Sequence, residues 1–286
     1  MKINHSKYNL DFYYKFMIVL CIPFLVYGIF KNSIMVYSES KAIFLGLKPI
    51  ISLCFYVLGG LFLDKKLLKR RMNKYLFSAI LLWMILPVIT PLWLSLIAFI
   101  LLFFIIYKEI LKINPIILTK LIIVIILFAI SCYTYQNYNE ASGKYLYSFI
   151  DLFYKNQVGG MATSNLILVT ISFVIILFNP LYKKNIALSS LSGYFLTLLL
   201  FVVLGKDTRH YVELMILASS LFDICFLAPI NEYSSYTQKG QILFGFFVGI
   251  IGALFEVIFN PYEGIALAIL LASILKNIFD RKFLLN

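Results

Sequence analysis

Ten runs of apolar residues, joined by short polar connections, constrain the fold of this chain more than any other feature of its sequence. An α-helix needs about 20 such residues to cross the hydrocarbon core of a bilayer. The runs cover residues 14–31, 42–63, 75–88, 92–107, 116–135, 164–180, 186–204, 210–228, 241–259 and 262–277. Hydrophobic residues make up 62% of the chain and charged residues 13%, which excludes a water-soluble globular domain. The sequence therefore predicts an all-α, polytopic membrane protein of about ten transmembrane helices.

Two prolines interrupt the third and fourth runs. Pro87 and Pro91 lack the backbone N–H that a helix interior needs. We expect these two runs either to tilt or to form a re-entrant pair beside a protein-lined cavity. The first run has no small-residue cleavage site and is expected to be a retained span. Because the connections are short, residues 1–286 are expected to form a single integral membrane domain.

The basic residues predict the orientation in the membrane. Most of the 25 Lys and Arg residues face the cytoplasm if both termini are cytoplasmic, in agreement with the positive-inside rule. The largest basic cluster, residues 64–74, joins two runs directly. We therefore assign the net charge of +12 to topology and to contact with membrane lipids, and not to nucleic acid. Lys48 and Lys120 lie within runs, and their ammonium groups are expected to reach the interface. The predicted location is the bacterial cytoplasmic membrane, as a multi-pass protein.

Residues 136–163 form the longest polar segment, which faces outward in this topology. Long connections in compact proteins are more often functional than idle. Its aromatic side chains are expected either to line the membrane interface or to stack on a planar ligand. The four cysteines all lie within runs and form no C-x-x-C pair, so they predict neither a disulfide framework nor a metal site.

Three carboxylates fall in or between apolar runs. Glu263 lies at the start of the last run, at the apolar boundary where one span ends and the next begins, and an uncompensated charge there is expensive and usually has a role or a partner. Asp223 and Glu256 lie within runs. These two are expected either to belong to an ion path or to face water near the end of a span.

Several motifs occur in an order that resembles the RnfD/NqrB family, the large membrane subunits of flavin-linked, ion-pumping electron-transfer complexes. Near the C-terminus, the chain has a Lys-Gly-Gln opener at 239–241, a Glu-Gly turn at Glu263 and Gly264, and a closing Phe-Asp at 279–280. Earlier matches are Leu86 and Pro87, Pro91 to Trp93, Asn114 and Pro115, Asp151 to Phe153, Gly159, Thr163 and Ser164. The resemblance implies an RnfD/NqrB-like fold of about ten helices.

The sequence departs from the family at two motifs. Family members usually carry Ser-Gly-Ala-Thr in the outward loop, and the Thr holds flavin mononucleotide through a phosphoester bond. Here Ser142 and Gly143 are followed by Lys144 and Tyr145, so the Thr is missing. A second candidate ends in Ala162-Thr163. The Ala-Thr-Asp-Pro motif is also degenerate and reads Ala-Pro-Ile-Asn at 228–231.

The resemblance implies a flavin, either flavin mononucleotide or riboflavin, bound noncovalently, and Thr163 is the acceptor residue if the attachment is covalent. The residues that match the flavin-binding segments are Ser142, Gly143, Tyr145, Gly159, Gly160, Thr163 and Ser164. The family also implies a quinone, and we expect an ion or quinone path at Pro87, Asn114, Asp223, Glu256, Glu263 and Gly264.

The function implied is that of an electron-transfer subunit in an oxidoreductase complex of the translocase type. It would relay electrons between a quinone or flavin in the membrane and an extracytoplasmic flavin acceptor. Its partners would be other membrane redox subunits and an extracytoplasmic flavoprotein, as in extracellular electron transfer by Gram-positive bacteria. Alternatives from other classes are an ion or small-molecule transporter, a non-redox membrane scaffold, and a transferase acting on lipid-linked substrates.

Overall fold

The computed structural model describes residues 10–35, 38, 43–67, 73–108, 113–130, 138–139, 144–145, 159–204, 208–259 and 263–284, with side chains except at 67, 138–139, 144–145 and 282–284. Its α-helices are α1 (Leu10–Ile29), α2 (Ile43–Leu67), α3 (Lys74–Ile85), α4 (Leu92–Lys108), α5 (Pro115–Ala129), α6 (Leu166–Leu177), α7 (Lys184–Leu204), α8 (Thr208–Met215), α9 (Ala218–Phe222), α10 (Gln238–Ile258) and α11 (Gly264–Leu284). Two π-helical segments, Phe30–Met35 and Asp223–Leu227, continue α1 and α9.

Nine of the ten predicted runs each overlap one of these α-helices, and the remaining run, 210–228, overlaps α8, α9 and the second π-helical segment. Within the part of the chain that the structure describes, five segments are long and apolar enough to cross a membrane. They are Leu10–Met35, Ile43–Lys66, Lys184–Leu204, Thr208–Leu227 and Gln238–Ile258. Four further apolar helices, α3 to α6, are shorter. The predictions of an all-α polytopic fold and of a multi-pass location in the cell membrane are confirmed.

Local sequence explains why α3 is short. Leu86 precedes Pro87 and adopts an extended conformation with φ −63° and ψ 140°, because a residue before proline is pushed out of the helical region. The freed backbone groups do not remain unpaired. The N–H of Met161 donates to the Leu86 carbonyl at 2.9 Å, and the N–H of Ala162 donates to the Met84 carbonyl at 3.0 Å. The end of α3 is therefore paired with the segment around residues 159–163.

Asparagine side chains begin two of the short helices. Asn114 accepts hydrogen bonds from the N–H groups of Ile116 and Ile117, and Pro115 occupies the first turn, where its missing N–H costs nothing. Asn165 accepts in the same way from Leu168 at the start of α6. Both caps satisfy backbone donors that have no partner within the helix.

The first π-helical segment ties α1 to the segment around residues 159–163. The Asn32 amide donates to the Met161 carbonyl at 2.6 Å and to the Gly28 carbonyl at 3.0 Å. Gly28 has no room for a side chain, since a Cβ atom there would lie 2.9 Å from the Met161 oxygen. Helix α1 and the end of α3 thus hold this segment from two sides.

Glycines allow α7 and α10 to pack backbone to backbone. A Cβ atom on Gly249 would collide with the Ser190 carbonyl, and one on Gly245 would collide with the Ser189 hydroxyl. Small residues of this kind are typical of close helix pairs in membranes. At the other end of α10, Gly264 lies against the backbone of Glu256, so the start of α11 touches the segment of α10 that carries this carboxylate.

Candidate functional site

A buried ionic cluster lies where three segments of the chain meet. The Lys120 ammonium is 3.3 Å from Asp223 Oδ2 and 3.0 Å from Glu263 Oε2. The three residues are 4%, 2% and 4% exposed. Buried charges of this kind are stable only when they are paired. The expectation that Lys120 reaches the interface is therefore wrong, because its ammonium lies inside the protein between two carboxylates.

Each member of this cluster comes from a different part of the chain. Lys120 lies in α5, Glu263 immediately precedes α11, and Asp223 lies where α9 passes into the second π-helical segment. The Ala228 N–H donates to the Asp223 carbonyl at 3.0 Å, which is the wider hydrogen-bond spacing of a π-helix. Such turns occur often at functional sites. The partner expected for the Glu263 carboxylate is the Lys120 ammonium, which lies 3.0 Å from it.

Glu256 lies in a second buried network, formed by hydroxyl groups. Tyr194 donates to Oε2 of Glu256 at 2.7 Å, and the Ser220 hydroxyl donates to Oε1. The Tyr194 oxygen is also 2.7 Å from the Leu214 carbonyl, close to the break between α8 and α9. Glu256 is 2% exposed. Asp223 and Glu256 are both buried, so neither faces water near the end of a span, and their place on an ion path stays a prediction.

A small enclosed cavity adjoins the ionic cluster. Its volume is about 10 Å³, which is the space for a single water molecule. The cavity is lined by Ile85, Lys120, Gly159, Gly160, Thr163, Ser219, Asp223 and Glu263. The Ser219 hydroxyl is buried and has no hydrogen-bond partner among the described residues. The site therefore offers oxygen atoms that could bind a water molecule or a small cation.

The structure joins two sets of residues that the sequence analysis kept apart. Gly159, Gly160 and Thr163 were expected to bind a flavin, whereas Asp223 and Glu263 were expected to line an ion or quinone path. All five line the same cavity.

The other predicted site residues lie around this cavity or apart from it. Pro87 pairs with Gly160 in a short antiparallel bridge. The Asn114 amide lies 3.5 Å from the Leu227 carbonyl, and Ser164 accepts a hydrogen bond of 2.7 Å from Lys31. Gly264 packs against Glu256.

Three predicted flavin-site residues belong to the outward loop. Ser142 and Gly143 lie outside the described residues. Tyr145 is described only through its backbone, where Lys144–Tyr145 pairs antiparallel with Tyr138–Asn139.

The surroundings of Thr163 do not fit a flavin mononucleotide held by a phosphoester bond. Its side chain is 1% exposed, and a Cβ atom on Gly160 would lie 2.8 Å from the Thr163 hydroxyl oxygen. The adjoining cavity has space for one water molecule and not for a phosphate group. Noncovalent flavin therefore stays a prediction.

The sequence analysis missed Lys120, Tyr194 and Ser220 as site residues. A signal for Lys120 was present, because an interior lysine and several interior carboxylates without partners can satisfy one another. Hydroxyl residues such as Tyr194 and Ser220 carry no such signal, since they are common in membrane helices for packing reasons.

At the predicted cytoplasmic end, two of the family motifs meet. Asp280 accepts hydrogen bonds from the Thr237 N–H at 3.0 Å, from the Tyr236 N–H at 3.1 Å, and from the Ser235 hydroxyl. A Cβ atom on Gly240 would lie 2.6 Å from Asp280 Oδ1, so only glycine fits there. Burial alone would raise the pKa of Asp280, but these hydrogen bonds outweigh it and lower the pKa below its ordinary value. The Lys-Gly-Gln opener and the closing Phe-Asp are thus one structural unit.

Comparison with known proteins gives a match along nearly the whole chain. A family model described as the NQR2, RnfD, RnfE family matches residues 15–284. One of the subunits of the Na(+)-translocating NADH-quinone reductase from Klebsiella pneumoniae (strain 342) is 30% identical over 139 residues, which are 46% of this chain and 34% of the relative. Proteins of the same name from Chromohalobacter salexigens and Yersinia pestis are 28% and 26% identical, over 48% and 50% of this chain and 35% and 36% of the relatives. The matched segment thus spans about a third of each relative's length.

Proposed function

Because the chain belongs to the NQR2, RnfD and RnfE family, we propose that it is a membrane electron-transfer subunit of an oxidoreductase complex. In this proposal it relays electrons between a quinone or flavin within the membrane and an extracytoplasmic flavin acceptor. Its partners are other membrane redox subunits and an extracytoplasmic flavoprotein. The flavin would be held noncovalently and would supply the redox chemistry. The residues of this chain position it and handle the accompanying charge.

The observation that carries this proposal is the buried ionic cluster of Lys120, Asp223 and Glu263 beside Glu256. Electron movement through a membrane protein leaves uncompensated charge unless a cation moves as well. Ionisable side chains inside a membrane domain typically mark the path of such a cation. The names of the curated relatives include sodium translocation, so the candidates for this chain are a sodium ion and a proton.

The Glu256 carboxyl suits proton handling in this proposal. Both of its oxygens accept hydrogen bonds from neutral hydroxyls, those of Tyr194 and Ser220. Such donors stabilise a carboxylate and can reorient when the group takes up a proton. Glu263 differs, because its partner is a fixed positive charge on Lys120. We propose that Glu256 exchanges the proton and that the ionic cluster sets the local potential.

A second candidate function, ion transport without redox chemistry, is favoured by the broken span Thr208–Leu227. It consists of α8, α9 and a π-helical segment, and Asp223 lies at one of its breaks. Transporters commonly build ion sites at interrupted helices near the middle of the membrane. This candidate requires neither a flavin nor a quinone.

The test of the proposed function uses the full-length chain. The visible absorbance spectrum of the detergent-purified protein is recorded before and after acid precipitation, and flavin bands released by acid are expected. The chain is then reconstituted into liposomes that contain a membrane quinol, with flavin mononucleotide added outside. We expect the external flavin to be bleached faster than in liposomes without protein, and more slowly with the Glu256→Gln variant.

The two candidate functions predict different results. A colourless, folded protein that bleaches no external flavin contradicts electron transfer. If the same liposomes still move protons or sodium ions, as reported by an internal indicator dye, the transport function is supported in its place.

A further inference from the structure

The ammonium group of Lys120 lies between two buried carboxylates. It lies 3.0 Å from Glu263 Oε2 and 3.3 Å from Asp223 Oδ2, and all three groups are buried. Carboxylate oxygens are the ligands that hard cations prefer. Here a lysine side chain, which cannot leave the protein, already supplies the positive charge.

Further oxygen ligands line the cavity beside the ammonium. The Thr163 and Ser219 side chains line it together with Asp223 and Glu263. The Ser219 residue is 6% exposed and its hydroxyl has no hydrogen-bond partner among the described residues. An unpartnered buried hydroxyl beside two carboxylates indicates a ligand, either water or a small cation. The cavity, of about 10 Å³, has room for only one such particle.

Electrostatics decides which of the two it is. The two carboxylates and one ammonium of the cluster carry a net charge of −1 when all three are ionised. The ammonium already compensates one of the two carboxylates, so a metal ion in the cavity would gain only the remaining charge of −1. It would also lie next to the Lys120 ammonium, which lines the cavity and repels a like charge strongly inside a protein. A neutral water molecule meets no such repulsion. The cluster as built therefore favours water over a metal cation.

We propose that Lys120 determines the cation selectivity of this site, acting as a tethered cation in the position that a sodium ion would take between Asp223 and Glu263. The native cluster then does not bind sodium, and a cluster without the ammonium does. The consequence of this selectivity for the cell rests on the proposed function. If the chain transfers electrons, sodium does not carry the accompanying charge at this cluster. Sodium binding itself is measured without any redox reaction.

The test measures the thermal unfolding midpoint of the full-length chain in detergent. Sodium chloride is exchanged stepwise for choline chloride at constant ionic strength. The native chain is expected to show the same midpoint in both salts. The Lys120→Met variant keeps an unbranched side chain without the charge, and its midpoint is expected to rise with sodium until it saturates. The matched control, Lys120→Arg, keeps a cation and is expected to behave like the native chain.

Two results overturn the inference: a saturable rise of the native midpoint with sodium but not choline, or a folded Lys120→Met variant that ignores sodium. Recovery of the folded Lys120→Met variant only from sodium-containing buffer supports the inference.

If the Lys120→Met variant does not fold in either salt, it is replaced by the double variant Lys120→Met, Glu263→Gln. This double variant has the same net charge in the cluster as the native chain. Its insensitivity to sodium overturns the inference, and a sodium response supports it. Failure of the flavin-bleaching assay leaves all these midpoints unchanged, so the two proposals fail separately.

Discussion

The Tyr194 hydroxyl on α7 donates a hydrogen bond of 2.7 Å to the Glu256 carboxylate on α10, and both side chains are buried. Among the described residues, no ammonium or guanidinium group lies within ion-pair distance of Glu256. The nearby Glu263 is paired with Lys120 instead. Two carboxylates in one buried region thus have different kinds of partner, one neutral and one charged.

We expect the Tyr194→Phe variant to lose about 1–3 kcal/mol of unfolding free energy, because a buried carboxylate loses one of its donors. The measurement is thermal or denaturant unfolding of the detergent-solubilised chain. Tyr211→Phe is the control, since Tyr211 is only partly buried and its ring packs against Phe201 and His210. Equal stability losses in the two variants would contradict a specific role for the bond between Tyr194 and Glu256.

Gly159 and Gly160 are adjacent but are expected to tolerate alanine very differently. A Cβ atom on Gly160 would lie 2.7 Å from the Met84 carbonyl and 2.8 Å from the Thr163 hydroxyl, whereas the nearest atoms to one on Gly159 are at 3.6 Å, an ordinary van der Waals distance. Overpacking of this kind costs roughly 1–3 kcal/mol. Gly160→Ala should therefore unfold at lower temperature than Gly159→Ala. A stable Gly160→Ala variant would show that the pairing of residues 159–163 with the end of α3 is looser than described.

Replacing Asn114 separates its two hydrogen-bonding roles. The Asn114→Ala variant loses the cap of α5 and is expected to be destabilised by about 0.5–2 kcal/mol. Asn114→Ser keeps a capping oxygen but loses the amide that lies 3.5 Å from the Leu227 carbonyl. The serine variant should recover most of the unfolding free energy. If it is as unstable as the alanine variant, the contact with Leu227 and not the cap is the important one.

The hydrogen bonds to Asp280 predict a pH dependence of stability where the start of α10 meets the end of α11. Its pKa is lowered in the folded chain, so its contribution is complete above the ordinary carboxyl pKa and is lost as the pH falls through the lowered value. We expect Asp280→Asn to be less stable than the native chain at neutral pH. The difference should shrink when the unfolding midpoint is measured at pH values below about 3.9, the ordinary Asp value. A difference that is constant with pH would contradict this assignment.

Much of the fold could be predicted because each element depends on local sequence. The apolar runs predicted the helices, and Pro87 predicted the interruption at the end of α3. The buried carboxylates Asp223, Glu256 and Glu263 were also recognisable, since charge is rare in apolar runs.

The partners of these carboxylates were not predictable from local sequence. Lys120 and Asp223 are 103 residues apart, and Tyr194 and Glu256 are 62 apart. Only the packing of helices brings such residues together. The assumption that an interior lysine extends to the interface holds for single spans, but it fails where a neighbouring helix offers a carboxylate.

The glycine contacts between α7 and α10 have a mechanical consequence. Gly245 and Gly249 each lie against backbone or short side-chain atoms of the facing helix, so neither helix can slide past the other without several collisions at once. The pair therefore moves as one rigid body and carries Tyr194 and Glu256 with it. Any rearrangement around the Glu256 carboxyl group then falls to the segments that face this pair. The main one is the interrupted span Thr208–Leu227, which contributes Ser220 to one side of the carboxyl group and Asp223 to the ionic cluster.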